Sequence, residues 1–151
     1  MAPNLSWTGP AVSNKGWRRD NKLADQHARR ALDASRIFKK DLTFVWSGGD
    51  SLVGKQAVKD YYLGRWKLLE SVSFSNDIFL PVQVNVSPNG AAPAGKWMLH
   101  WVQVDAKYKN GKAITFWLHN ASHYGENGKV DYVAQYIDRL PLMEATKGMM
   151  K

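Results

Sequence analysis

The sequence predicts an α+β domain in which helices lie on one face of a curved antiparallel sheet. Two helical patterns come first along the chain, and a series of strand patterns follows them. Two Asn-Gly pairs, at 110–111 and 127–128, separate the last three strand patterns, and Asn-Gly is the strongest short-range signal for a β-hairpin. Helices followed by a meander of strands are typical of the α+β class.

The first helical pattern covers residues 15–40, and the second runs from Gly54 to about Leu69. In both, small or apolar residues recur at steps of three and four positions, as on one face of a helix. A short strand at 42–46 and a Ser-Gly-Gly-Asp turn at 47–50 lie between them. The remaining strands are predicted at 78–86, 97–108, 113–124 and 129–140.

The two Asn-Gly turns set the predicted register of the last three strands. Two-residue turns would pair Lys109 with Lys112, and Glu126 with Lys129. Side chains alternate between the two faces of a strand, so this register decides which residues share a face. One predicted face carries three histidines, an acid and several aromatic and apolar side chains: Met98, His100, Val102, Val104, Trp117, His119, His123, Tyr132, Tyr136 and Asp138.

This face predicts a pocket for a small and largely apolar or aromatic molecule. Ala121 and Ala134 lie at its centre, and two small residues among bulky neighbours leave space. Trp46, Tyr62 and Trp66, on the first strand and second helix, would add aromatic walls, although such a stripe is also typical of a core. The predicted binding set is Trp46, Tyr62, Trp66, Met98, Val102, Trp117, His123 and Tyr132.

The opposite face of these strands is mixed and suits a subunit interface or a partly solvated outer surface. Trp97 and Trp101 project to that face, and exposed apolar patches usually have a partner. We therefore expect a homodimer.

Length and composition limit the class of protein. The 151 residues fit a single domain at 15–142, preceded by an arm at 1–14 and followed by a tail at 143–151. The absence of cysteine excludes disulfides, thiolate zinc sites and a cysteine nucleophile. No secretory signal and no apolar run long enough to span a membrane are visible, so a cytoplasmic protein is expected.

The net charge of +8 is concentrated near the start of the chain. Residues 15–40 contain nine lysines and arginines against Asp20, Asp25 and Asp33. A solvated helix face is the commoner meaning of such a pattern, and His27 is expected at its surface or flank. Binding of nucleic acid through this helix is the alternative, but no nucleic-acid recognition motif accompanies it.

The order of these features resembles the nuclear transport factor 2-like superfamily, and its SnoaL-like branch in particular. The resemblance covers about residues 15–142 and is carried by Asp41 after the first helix, Gly54 opening the second, Gly128-Lys129-Val130, and a last strand ending Tyr136-Ile137-Asp138. It implies a cone-shaped α+β fold with a pocket between helices and sheet. Polyketide cyclases, ketosteroid isomerases, dehydratases, epoxide hydrolases and non-catalytic binding domains share that fold, so fold alone does not decide function.

The resemblance implies cofactor-free acid/base chemistry: isomerisation, cyclisation, dehydration or hydration. Asp138 matches the aspartate that serves as acid/base in SnoaL-like cyclases, whereas Trp46 stands where ketosteroid isomerases carry their base. In the predicted register Asp138 lies diagonal to His119 and could orient it, with Tyr136 and His100 polarising a substrate oxygen. A structural hydrogen bond, or pairing of Asp138 with Arg139, is the alternative, as is a non-catalytic ligand-binding or assembly domain.

No metal or other cofactor is predicted. His119 and His123 form an H-x-x-x-H pattern, but four residues on a strand span about 13 Å, too far for one zinc ion. Gly48-Gly49 alone does not make a phosphate loop.

Overall fold

A computed structural model describes residues 35–86 and 93–149. The predicted α+β class is confirmed. The strands are β1 Phe38–Trp46, β2 Ser51–Val53, β3 Leu69–Val84, β4 Gly95–Tyr108, β5 Ala113–Tyr124 and β6 Val130–Ile137. The helices are α1 Lys55–Trp66 and α2 Arg139–Thr146, and short 3-10 turns cover Ser35–Ile37 and Glu126–Gly128.

The six strands form one sheet in the order β2-β1-β6-β5-β4-β3. Neighbouring strands are antiparallel except β1 and β6, which are parallel, so the sheet is mixed rather than purely antiparallel. The parallel pair joins the first long strand to the last one. It brings residues that are far apart in sequence onto the same inner face, where the cavity described below lies.

The predicted first helix is wrong at its C-terminal end. Ser35–Ile37 forms a 3-10 turn and β1 begins at Phe38, which pairs with Val130 of β6. Pairing with a distant strand outweighs the weak local helical preference of this stretch. The rest of the predicted helix, the arm at 1–14, His27 and most of the basic cluster lie outside the described residues.

Two further boundaries differ from the predictions. Strand β3 begins at Leu69, where the second helix was expected to end, because its first half pairs with the far end of β4. Strand β6 ends at Ile137, and α2 crosses residue 143, where a tail was expected. The carboxylate of Asp138 starts α2 by accepting a hydrogen bond from the Leu140 N–H at 3.0 Å, as an N-cap does.

The predicted register of the β4–β5 hairpin is wrong by one residue. The Tyr108 N–H donates to the Lys112 carbonyl at 2.8 Å, which leaves a three-residue loop in which Gly111 alone has a positive φ, of 86°. A type I turn followed by such a glycine is the usual three-residue hairpin loop. His100 therefore faces Asn120 instead of Ala121, and every β4 side chain changes face relative to β5.

The predicted register of the β5–β6 hairpin is confirmed through most of its length, where His119 pairs with Tyr136. Asn127 and Gly128 both have positive φ, of 62° and 67°, as an Asn-Gly turn requires. The predicted pairing of Glu126 with Lys129 at the turn is wrong, because the Gly125 N–H donates to the Lys129 carbonyl at 2.9 Å and leaves a three-residue loop. A bulge between His123 and Tyr124 offsets this shift of one residue.

Two clusters of buried side chains form the core. One joins β1, α1 and β6 around Leu42, Val58 and Val130. The other joins β3, β4 and α2 around Val72, Val104 and other apolar residues. No helix within residues 35–86 and 93–149 is long and apolar enough to cross a membrane.

Candidate functional site

A cavity of about 620 Å³ lies between the inner face of the sheet and the two helices. Aromatic and aliphatic side chains from both core clusters form most of its wall, so it is the part of the core that the described residues leave unfilled. A largely apolar hollow of this size, with a few polar groups, is typical of a small-molecule site.

The polar groups of the cavity lie in one row across the sheet. His100 of β4 pairs with Asn120 of β5, Asn120 pairs with Gln135 of β6, and Gln135 pairs with Trp46 of β1. All four side chains line the cavity. Residues in such a row have Cβ atoms about 5 Å apart, so their polar atoms can act on one ligand.

His100 forms a hydrogen bond with Asp77 at one end of this row. Its Nε2 lies 2.9 Å from Asp77 Oδ1, and both side chains are mostly buried. Its ring stacks on Phe79, with the centroids 4.2 Å apart and the planes within 2°. Because the carboxylate accepts a hydrogen from Nε2, the neutral imidazole keeps the lone pair on Nδ1. The described residues provide no hydrogen-bond partner for Nδ1.

A β-bulge in β3 brings Asp77 to the cavity. Ser75 pairs with Gln103 and Ile78 with Trp101, so Asn76 and Asp77 together lie opposite one residue of β4. Asn76 has a φ of 55°. The extra residue changes which side chains point inward, as bulges do.

Aromatic rings from β1 and α1 form the wall beyond Gln135. The ring centroid of Trp46 lies 4.8 Å from that of Tyr61 and 4.7 Å from that of Phe44. The ring centroids of Tyr62 and Trp66 are 6.2 Å apart. Burial raises the pKa of Tyr62 well above the ordinary value, although its hydrogen bond to Gln135 opposes the effect. The phenol therefore stays protonated at neutral pH.

Basic side chains stand at the edge of the cavity nearest the two helices. The Arg65 guanidinium lies 5.3 Å from the Tyr61 ring centre, and that of Arg139 lies 5.7 Å from the Trp46 ring centre. Arg139 also donates to Asp50 at 2.8 Å, and this hydrogen bond lowers the pKa of Asp50. Asp50 is thus an ion-pair partner at the rim.

Comparison with solved structures gives many matches to this fold. An NTF2-like protein of unknown function from Exiguobacterium has 18% identity and a TM-score of 0.57, covering 76% of this chain and 91% of that one. A protein proposed to be a SnoaL-like polyketide cyclase from Jannaschia has 10% identity and a TM-score of 0.56, covering 89% and 85%. A proposed polyketide cyclase from Xanthomonas campestris has 12% identity and a TM-score of 0.54, covering 82% and 90%.

The chain has the NTF2-like fold. The fold expected from the resemblance to this superfamily and its SnoaL-like branch is thereby confirmed. No protein-family model and no curated protein matches the sequence. At these identities the likeness extends to the fold of the chain and not to its reaction.

Within this NTF2-like fold, half of the predicted site residues line the cavity. They are His100, Trp46, Tyr62, Trp66, Met98 and Val102. They come from β1, α1 and β4, whose inward faces are correctly identified as apolar or aromatic.

The other six predicted site residues lie away from the cavity, so the prediction that they share a face with His100 is wrong. They are Asp138, His119, Tyr136, Trp117, His123 and Tyr132. The one-residue difference at the β4–β5 turn is the physical cause for those on β5 and β6, which lie with Trp101 on the outer face. Asp138 is exposed and caps α2.

His123 is part of a buried polar cluster on the outer side of the sheet. Its Nδ1 lies 2.5 Å from Asp131 Oδ1, and its Nε2 lies 2.9 Å from the Ala94 carbonyl. Both contacts hold protein groups together, so the side chain has a structural setting. No group of three potential metal ligands occurs in the part of the chain described.

Asp77, Asn120 and Gln135 line the cavity but are not among the residues predicted from the sequence. Asn120 and Gln135 were assigned to the opposite face by the wrong turn length. A three-residue loop at Lys109-Asn110-Gly111 would have placed them beside His100. Asp77 carries no comparable signal, because its position depends on the bulge at Asn76.

Proposed function

We propose that the chain is a cofactor-free acid/base enzyme that moves a proton at a carbon next to a carbonyl group of a small, aromatic or apolar molecule. The observation that carries the proposal is the His100–Asp77 pair, whose imidazole faces a mainly apolar cavity of about 620 Å³. The solved structures that share the fold and are proposed to be polyketide cyclases support small-molecule pocket chemistry.

The proposed step uses His100 as the base. Its Nδ1 lone pair takes a proton from the carbon next to the carbonyl, and the electrons of the broken C–H bond move to the carbonyl oxygen to give an enolate. The imidazolium then returns a proton to the enolate. Asp77 holds the ring in the required tautomer and stabilises the cation that forms, as carboxylates beside catalytic histidines do.

Hydrogen exchange in 1-tetralone tests this proposal without knowledge of the natural substrate. This bicyclic aromatic ketone fits a cavity of this size, and deuterium incorporation at its C2 in D₂O is measured by mass spectrometry. We expect the protein to accelerate exchange. We expect His100→Gln to lower the rate by about 100-fold or more, because general-base catalysis contributes at least that much. Asp77→Asn should cause a smaller loss.

His119→Gln is the matched control, because His119 lies on the outer face. It should leave the exchange rate unchanged. Loss of exchange in His119→Gln with full exchange in His100→Gln would contradict the proposal and favour the Asp138–His119 pair predicted from sequence. Binding of 1-tetralone without any acceleration would also contradict it and favour a ligand-binding domain.

A further inference from the structure

Four side chains on the cavity floor form a hydrogen-bond chain with a fixed direction. It begins at Trp46, whose indole nitrogen can donate a hydrogen bond but cannot accept one. Trp46 Nε1 donates to Gln135 Oε1 at 2.9 Å, and the Tyr62 hydroxyl donates to the same oxygen at 3.2 Å. Two donors on Oε1 fix the orientation of the Gln135 amide.

The fixed Gln135 amide in turn orients Asn120. Gln135 Nε2 donates to Asn120 Oδ1 at 3.0 Å. Rotation of the Asn120 amide by 180° would bring two N–H groups together, so its Oδ1 stays on the Gln135 side. Its Nδ2 must then point away from Gln135, and the described residues provide no acceptor for it.

We propose that Trp46 and Gln135 are positioning residues that make Asn120 present an N–H donor to the cavity, where it binds the carbonyl oxygen of the ligand. Asn120 lines the cavity and is the cross-strand neighbour of His100. An oxygen held there lies beside the imidazole that acts on the adjacent carbon. This inference rests on the proposed function. It makes the preference for a hydrogen-bond acceptor over a hydrocarbon depend on Trp46, a residue that need not touch the ligand oxygen.

Selectivity for the oxygen can be measured separately from affinity for the ring. 1-Tetralone and tetralin differ by one carbonyl oxygen, so the ratio of their dissociation constants reports the donor. We expect the wild-type protein to bind the ketone about tenfold more tightly, the factor that one net hydrogen bond gives. Titration calorimetry measures both constants.

Variants separate the donor from the residues that orient it. Asn120→Leu should reduce the ratio to about one, and Trp46→Phe should reduce it severalfold because the Gln135 amide is then less tightly held. A change in the shape of the cavity affects both probes, so the ratio of the two constants, and not either constant alone, reports the donor. Gln135→Met interrupts the same hydrogen-bond chain and replaces Trp46→Phe in the experiment if that variant does not fold. Trp101→Phe, the control on the outer face, should keep the ratio.

A ratio that is unchanged in Trp46→Phe and Gln135→Met would overturn the positioning role. Equal binding of the two probes by the wild type would overturn the donor as well. Selective binding of 1-tetralone without deuterium exchange would support the oriented donor while rejecting the proposed reaction. Failure of both probes to bind would reject both proposals.

Discussion

At the level of single residues, the cavity combines groups whose protonation states are set by their contacts. The Tyr62 phenol is partly buried and donates to Gln135, and removal from solvent raises its pKa. The same cause raises the pKa values of Tyr108 and Tyr124. A protonated phenol at position 62 is what the hydrogen-bond chain needs, because a phenolate could not donate to Gln135.

The raised pKa of Tyr62 has a consequence for stability at high pH. Unfolded tyrosine loses its proton near pH 10, whereas folded Tyr62 keeps it to higher pH. The stabilisation is therefore complete below about pH 10 and is lost as the pH rises further. We expect Tyr62→Phe to be less stable than wild type by about 1 kcal/mol at pH 8 through the lost hydrogen bond, and the difference to narrow by pH 11.

Urea denaturation at the two pH values measures this difference. Val58→Ala serves as the control, because Val58 is fully buried and its truncation removes only apolar contacts. Its deficit should be similar at both pH values. A Tyr62→Phe deficit that grows between pH 8 and pH 11 would be incompatible with the raised pKa.

At the level of elements, alternation and turn residues predict the strands that fold as local hairpins. The bounds of β5 agree with the prediction at both ends, and the Asn127-Gly128 turn has the expected positive φ values. Both Asn-Gly pairs nevertheless lie in three-residue loops, closed by the Tyr108–Lys112 and Gly125–Lys129 hydrogen bonds. The dipeptide does not distinguish a two-residue loop from a three-residue loop, and a difference of one residue moves a whole strand to the other face. In the β5–β6 hairpin the bulge between His123 and Tyr124 offsets this difference, whereas the β4–β5 hairpin has no such bulge.

Long-range pairing and local irregularity account for the rest of what could not be predicted. The β1–β6 pair joins strands about 90 residues apart, and such pairing leaves no periodic signal in either strand. Half of the predicted site was nevertheless found, because Trp46, Tyr62 and Met98 follow simple strand and helix periods. Asp77 could not be found, because a bulge breaks the period immediately before it.

The bulge in β3 can be tested at Asn76. Its φ of 55° is unfavourable for a residue with a Cβ, and its Nδ2 donates to Gln103 Oε1 at 2.6 Å. Asn76→Ala and Asn76→Gly both lose that hydrogen bond, so their difference isolates the backbone term. We expect Asn76→Ala to be less stable than Asn76→Gly by about 1 kcal/mol, the usual cost of the left-handed region for a residue with a Cβ. Urea denaturation at pH 7 measures it.

Ser75, one residue earlier in the same strand, is the matched control. Ser75 is not among the described residues with positive φ. The Ser75→Gly variant should therefore be less stable than Ser75→Ala, because glycine loses more backbone entropy on folding. If the alanine variant were more stable than the glycine variant at position 76 as well, the bulge conformation would not constrain residue 76.

At the level of the whole molecule, the outer face of the sheet has a composition unlike the rest of the chain. Charged residues make up 23% of the sequence, yet the central outward positions of β3 to β6 carry none. These positions are Ile78, Leu80, Val82, Leu99, Trp101, Gln103, Trp117, His119, Ala121, Ala134 and Tyr136. Trp101, His119 and Tyr136 stack in one row across the sheet. Depletion of charge with enrichment of aromatic residues is typical of the centre of a protein interface.

We propose a second copy of the chain as the partner for this face. Two molecules of net charge +8 repel each other, so an uncharged face offers the most favourable approach. Two-fold dimers bury the same patch of both subunits and are the commonest oligomers.

We therefore expect a homodimer that dissociates into monomers when a charged side chain is introduced on the outer face. Trp117 is half-exposed at the centre of this face, and Trp117→Glu would place a carboxylate where two copies meet. Sedimentation equilibrium should give twice the 17.1 kDa monomer mass for wild type and the monomer mass for the variant. Val53→Glu, an exposed apolar position on edge strand β2, should stay dimeric. A monomeric wild type at 100 µM, or a Trp117→Glu variant that remains dimeric, would contradict this arrangement, since burial of an unpaired carboxylate in an interface is strongly unfavourable.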